Sequence, residues 1–147
     1  MRVVVQRVSR ASVSAGDEQL GEIGLGSVLL VGIGRDDDAE TVDRMADRVV
    51  GLRYFRDADG RTNLAAADVG ASYLVVSQFT LYADTSRGRR PGFTDAAPPE
   101  LAAALVERFA DRLRGHGRSV GSGRFGAEMA VELVNDGPFT LVLDSEA

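Results

Sequence analysis

The run Ala71-Ser72-Tyr73-Leu74-Val75-Val76 constrains this chain more than any other stretch. Its apolar, β-branched and aromatic side chains point to both faces of any strand formed there, so that strand must be covered on both sides. Polarity then changes abruptly, to Ser77-Gln78-Phe79-Thr80-Leu81-Tyr82. Hydrogen-bonding groups delivered by a buried strand need partners, in the protein or in a ligand. Residues 83–92 follow as a basic, glycine-containing loop without periodicity. That order suits a site for an anionic, carbonyl-bearing ligand, although an ordinary strand end with a solvated loop reads the same way.

The remaining chain gives this strand its company. Residues 27–33 form a second fully apolar run, short enough for a central strand. Residues 1–8 read as a strand, and 11–15 with 19–24 flank Gly16-Asp17-Glu18 as a hairpin. A helix is expected over 39–52, with Val42, Met45, Ala46, Val49 and Leu52 on one face. A second is expected from Pro98-Pro99-Glu100 to Gly115, with Leu101, Leu105, Phe109 and Leu113 as its core stripe. Near the C-terminal end, Ala127, Met129, Val131 and Leu133 alternate with other residues as in a strand with one buried face. Asn135-Asp136-Gly137-Pro138 interrupts that strand with turn chemistry, and residues 139–143 resume it. The expected fold is one three-layer α/β domain over 1–147, with a sheet or barrel-like core and two helices on one side.

Composition removes whole classes of chemistry. The 147 residues hold no cysteine and no lysine, since all 17 basic residues are arginine. Disulfides, thiolate metal sites, cysteine nucleophiles, Schiff bases and the Walker lysine are therefore excluded. The single histidine, His116, follows a helical pattern, where a cation suits the helix C-terminus better than a catalytic triad. A formal charge of −5 argues against broad nucleic-acid binding but leaves room for one basic patch, Arg87, Arg89 and Arg90. Gly32-Ile33-Gly34 lacks the third glycine of a dinucleotide loop, and Asp36, Asp37 and Asp38 suit a helix start better than a pyrophosphate. Asp57-Ala58-Asp59-Gly60 is a turn and not a calcium loop, because no glutamate closes it. The opening residues carry no signal-peptide pattern and no run is long enough to span a membrane, so a cytosolic address is expected. No cofactor and no metal is called for.

Two polar stretches taken together are more informative than either alone. Ser77-Gln78-Phe79-Thr80 and Asn135-Asp136-Gly137-Pro138-Phe139-Thr140 resemble the paired SQxT and NxGPxT signatures of the D-aminoacyl-tRNA deacylases. The resemblance extends to Gln6-Arg7-Val8, Arg90-Pro91 and Phe125-Gly126-Ala127. It implies a homodimer that hydrolyses the ester between a D-amino acid, or glycine, and the 3′ end of tRNA. It also implies a cis Gly137-Pro138 peptide that enters the partner's active site, with Arg7 helping to hold that loop. L-esters would then be rejected by collision with rigid main chain, without recognition of the D-side chain.

For catalysis, the resemblance and the residues point to Ser77, Gln78, Phe79 and Thr80. Thr80 lacks a nearby base, which favours main-chain N–H groups at Phe79 and Thr80 as an oxyanion hole, with the ribose 2′-hydroxyl assisting water. Phe79, Phe125 and Met129 are expected to shape an adenine or amino-acid pocket, and Asn135 to fix its own turn. Arg87, Arg89 and Arg90 are the expected tRNA contacts. A non-catalytic module for RNA ends and an esterase for small metabolites are the alternatives.

Overall fold

A computed structural model describes residues 1–147. The elements are β1 (Arg2–Ala15), β2 (Glu18–Ile23), β3 (Gly26–Gly32), α1 (Ala39–Gly51), β4 (Arg53–Arg56), β5 (Thr62–Ala65), α2 (Ala66–Val69), β6 (Ser72–Ser77), a 3-10 turn (Phe79–Tyr82), α3 (Pro99–Gly115), β7 (Val120–Ser122) and β8 (Ala130–Asp144). Six strands form one sheet in the order β2-β1-β3-β6-β7, with β8 on the other flank of β1. β3, β6 and β7 run parallel, and β1 is antiparallel to β2, β3 and β8. β4 and β5 make a separate two-stranded ribbon.

The sheet curls until its ends almost meet. A Cβ on Gly21 of β2 would stand 3.3 Å from the main chain of Ser122 in β7, so glycine lets the two strands approach without either giving way. The result is a nearly closed, barrel-like sheet with two long helices against it, joined by the one-turn α2.

Alternation along the central strands explains two separate packing clusters. Val3, Val5, Leu29, Val31, Tyr73 and Val75 face the helices and meet Val42, Met45 and Val49 of α1 and Leu105, Phe109 and Leu113 of α3. The opposite side chains, Val8, Val13, Val28, Leu74 and Val76, fill the inside of the curl. Outside, Asp43 and Asp47 of α1 accept bidentate hydrogen bonds from Arg108 and Arg112 of α3 at 2.8–2.9 Å. His116 caps α3 and meets Asp47 at 2.7 Å, so it belongs to the helix pair and not to any catalytic group.

Several expectations change. The two N-terminal runs form one continuous strand, β1, whose irregular register near Arg7–Arg10 marks where it passes from β3 to β2. Leu101 is 38% exposed and Ala102 takes its place in the core. A strict four-residue spacing advances about 40° per step around a helix, so three steps carry Leu101 off the buried stripe. The expected buried face at Ala127, Met129, Val131 and Leu133 is only half realised. β8 begins at Ala130, and Val131, Val134 and Val142 are exposed because β8 is a sheet edge. Gly32 and Gly34 do not serve a phosphate. A Cβ on Gly32 would press on Leu81, and one on Gly34 on the Tyr82 ring, each at 2.8–2.9 Å. Asp38 caps α1 by accepting the Thr41 N–H at 2.8 Å.

Candidate active site

β6 ends at Ser77 beneath a cleft of about 800 Å³. Ser77, Gln78 and Phe79 form one wall. Phe93 and residues 96–99 form a second, and Phe125, Gly126 and Met129 a third. Glu128 is the one ionisable side chain in the lining. Phe79 and Phe93 meet edge to face with centroids 5.0 Å apart, and both remain largely exposed. An apolar cleft with a few polar groups at one end is what a small organic ligand needs.

The polar end is stiff for local reasons. The Gln78 N–H donates to the Val31 carbonyl at 2.7 Å, which ties the strand end to β3. The chain then turns sharply through Phe79–Tyr82, and the Leu81 N–H donates back to the Gln78 carbonyl at 3.2 Å. The Gln78 side-chain amide also donates to the Thr80 hydroxyl. A helical start leaves its first N–H groups without intrahelical acceptors, and here those belong to Phe79 and Thr80. The Thr80 side chain itself lies outside the cleft lining. On the far wall, Gly126 adopts φ +79°, and the Arg124 N–H contacts the Met129 sulfur at 3.4 Å, curling residues 123–129 over the cleft.

A second group of residues gathers elsewhere. β1 and β8 are paired at Gln6–Thr140 and at Val8–Asn135, so residues 136–139 bulge out of the ladder opposite Arg7. The Asn135 amide donates to the carbonyls of Arg7 (2.9 Å) and Phe139 (3.0 Å), closing the neck of this excursion. Arg7 is 3% exposed, not the surface residue that an edge strand would carry. Its Nε donates to the Asp136 carbonyl at 2.9 Å and its Nη1 to the Tyr54 carbonyl at 2.6 Å. Burial, then the neighbouring Arg56 charge, lowers the Arg7 pKa, while the Arg56 hydrogen bond, first of all, lowers that of Asp136. Tyr54 in turn shares a 2.6 Å hydrogen bond with buried Ser27, and burial pushes its phenol up to about 12. Gly137 and Pro138 sit exposed at the tip, joined by a cis peptide bond.

Ser77, Gln78, Phe79, Phe125 and Met129 are thus brought together, whereas Arg7, Asn135, Gly137 and Pro138 do not line the cleft of their own chain. Arg87, Arg89 and Arg90 lie on a loop closed at its base by reciprocal hydrogen bonds between Asp84 and Gly92 at 2.8 and 2.9 Å. They take part in no salt bridge, although the chain has an acidic excess. Sequence reasoning missed Phe93, Tyr54 and Arg56. The aromatic pair in Arg53-Tyr54-Phe55-Arg56 was a usable strand signal, but nothing local tied Arg56 to Asp136.

The sequence model of D-Tyr-tRNA(Tyr) deacylase matches residues 4–144. The chain belongs to that family. It is 58% identical over 145 residues to a D-aminoacyl-tRNA deacylase of Roseiflexus sp. (strain RS-1), covering 99% of this chain and 94% of the relative. It is 53% identical over 146 residues to a D-aminoacyl-tRNA deacylase of Symbiobacterium thermophilum, covering 99% and 97%. Among solved structures, the c-Myc DNA Unwinding Element Binding Protein superposes with a TM-score of 0.94 at 39% identity, covering all of both chains. A probable eukaryotic D-amino acid tRNA deacylase superposes at 0.81 and 18% identity over 97% of each chain, which bears on the fold. As a deacylase this chain is a hydrolase of ester bonds. No helix in it is long and apolar enough to cross a membrane.

Proposed function

We propose that this deacylase hydrolyses the ester joining a D-amino acid, or glycine, to the 3′ end of tRNA, as a proofreading step of translation in the cytoplasm. The observation that carries the reading is the Ser77-Gln78-Phe79 segment, with Thr80 next in the turn, at the polar end of an apolar cleft of about 800 Å³. The cleft has room for an aminoacyl group and a base, with Phe79, Phe93, Phe125 and Met129 as apolar walls. The exposed Arg87, Arg89 and Arg90 meet the phosphates of the acceptor end.

In the reaction, water adds to the ester carbonyl carbon and the oxygen becomes an oxyanion. The N–H groups of Phe79 and Thr80 stabilise that charge, each such donor being worth about 10²–10³ in rate. The C–O bond to the ribose then breaks, and the departing 3′-oxygen takes the proton that water releases. His116 pairs with Asp47 on the helix pair, away from the cleft lining, and the Thr80 hydroxyl has only the Gln78 amide as a partner, which cannot take its proton. The neighbouring ribose 2′-hydroxyl assists the water.

Discrimination belongs to the second group of residues. The Gly137-Pro138 tip of a partner protomer closes the cleft and collides with an L-side chain. A D-side chain points away from it, and glycine has nothing to collide. The tip's exposure in one chain and its absence from that chain's own cleft favour this reading.

The test compares release of free amino acid from D-, L- and glycyl-tRNA, for the natural chain and for Gly137→Ala. A Cβ at residue 137 would run into the Asn135 side chain and crowd the Phe139 main-chain N, so either the Asn135 amide that closes the neck or the tip itself must shift. The expected result is turnover of the D- and glycyl esters, with Gly137→Ala raising the L-to-D ratio of kcat/KM by about tenfold or more, the equivalent of about 1.4 kcal/mol. Binding of the D-ester without turnover would leave an RNA-end-binding module instead. A dimer mass in solution is expected from the same preparation.

A further inference from the structure

We infer that Arg56 is a positioning residue for stereochemical discrimination: from β4 it fixes where the Gly137-Pro138 tip stands. The inference rests on the role proposed above for that tip. Neither tip side chain can anchor it, because glycine has none and the proline ring carries no donor or acceptor. Its position is therefore decided by the flanking residues, Asp136 and Phe139.

Both flanks are held by β4. The Phe139 ring stacks on Tyr54 with centroids 5.3 Å apart and planes 9° from parallel. The Asp136 carboxylate receives Arg56 Nη1 on both oxygens, at 2.6 and 2.7 Å. Tyr54 is itself immobilised by Ser27 and by the hydrogen bond its carbonyl accepts from Arg7. β4 lies in the two-stranded ribbon and not in the main sheet, so the ribbon acts as a backstop for the excursion. The Arg7 guanidinium also lies over the Phe139 ring at 4.8 Å and 3.4 Å from the Asp136 carboxylate. Two arginines thus converge on one carboxylate, Arg7 from within the fold and Arg56 from its surface. Arg7 has structural work in a buried place, whereas Arg56 is 43% exposed and hydrogen-bonds through its side chain to Asp136 alone, so its removal can be read without unfolding the chain.

The experiment measures kcat/KM for D- and L-aminoacyl-tRNA with the full-length protein and with Arg56→Ala, Arg56→Lys, Asp136→Asn and Gly137→Ala. Taking the L-to-D ratio cancels any change in tRNA affinity. Arg56→Ala is expected to raise the ratio about three- to fivefold, the scale of one partly exposed charge-assisted pair. Asp136→Asn should do the same, the double variant should add little to either single one, and Arg56→Lys should restore most of the natural ratio. A cooperative unfolding transition well above the assay temperature certifies that each variant is folded. An unchanged ratio in folded Arg56→Ala, with Gly137→Ala still relaxing selectivity, overturns the role of Arg56 alone. An unchanged ratio in both overturns the reading of the tip as the filter, and the inference with it.

Discussion

The cleft at the end of β6 has ten hydrophobic residues among its sixteen lining ones, whereas the excursion opposite Arg7 is held by charged and hydrogen-bonded groups. The cleft takes its shape from side chains on the 3-10 turn, the start of α3 and the curl at Gly126, and those can give slightly. The excursion takes its shape from carbonyls and carboxylates that accept directed bonds from Arg7, Arg56 and Asn135. Directed bonds fix position more sharply than apolar contact does, because they weaken steeply with angle. A binding surface that must accept many amino acids tolerates compliance. A filter that separates two enantiomers of the same volume, the role proposed above for the excursion, does not.

The sharpest way to break this comparison concerns the chemistry. If main-chain donors stabilise the oxyanion, Thr80→Ala keeps D-ester turnover within about fivefold, since it removes only the hydroxyl bonded to Gln78. Thr80→Pro removes the N–H at the second position of the turn and also restricts Phe79, and is expected to lower kcat by about 10²–10³ or more. Single-turnover rates, with a melting curve for each variant, make the measurement. Equal losses in both variants would return the role to the threonine oxygen.

A smaller effect separates binding from filtering. Phe93→Ala removes the edge-to-face partner of Phe79 and opens one wall. An aromatic pair of this kind is worth about 0.5–1.5 kcal/mol beyond its area, so KM should rise about two- to tenfold. It should rise equally for D- and glycyl esters, leaving the L-to-D ratio of kcat/KM where it was. A change in that ratio would mean that the wall as well as the tip reads chirality, and the division of labour drawn above would fail.

What the sequence revealed and what it concealed follow the range of the interactions. β6, α1 and α3 were legible because periodicity and capping are local: Asp38 caps α1, Pro99 opens α3, and Val75 and Tyr73 face the helices. Leu101 was misplaced because a four-residue repeat drifts around the helix. β1 was split in two because its change of partner from β3 to β2 leaves no local mark in the sequence. The exposed face of β8 was unreadable for a related reason, since alternation tells which residues share a face but not whether anything covers it. At the site, the residues of the two polar stretches were legible, but their separation into two groups was implied only by the family resemblance and not by anything local in the residues. Arg56 and Asp136, eighty positions apart, show the limit most plainly: each is an ordinary surface residue until the fold joins them.

The smallest expected effect tests the excursion's dependence on charge. The Arg56 hydrogen bond, with the Arg56 and Arg7 charges behind it, holds the Asp136 carboxyl below its usual range. A folded-state pKa below the unfolded one contributes stability that is fully present above the unfolded value, about 3.9, and is lost as pH falls through the folded value. Asparagine at 136 cannot titrate. The stability difference between the natural chain and Asp136→Asn should therefore be level from about pH 5 upward and shrink toward zero in stronger acid. Its size should be at most about 1 kcal/mol, because the carboxylate is partly exposed and screened. Urea unfolding at a series of pH values measures it, and 1 M salt should flatten the profile. A difference that stays constant into strong acid would mean that Asp136 holds the excursion through its main-chain carbonyl to Arg7 alone, and that the carboxylate is a bystander.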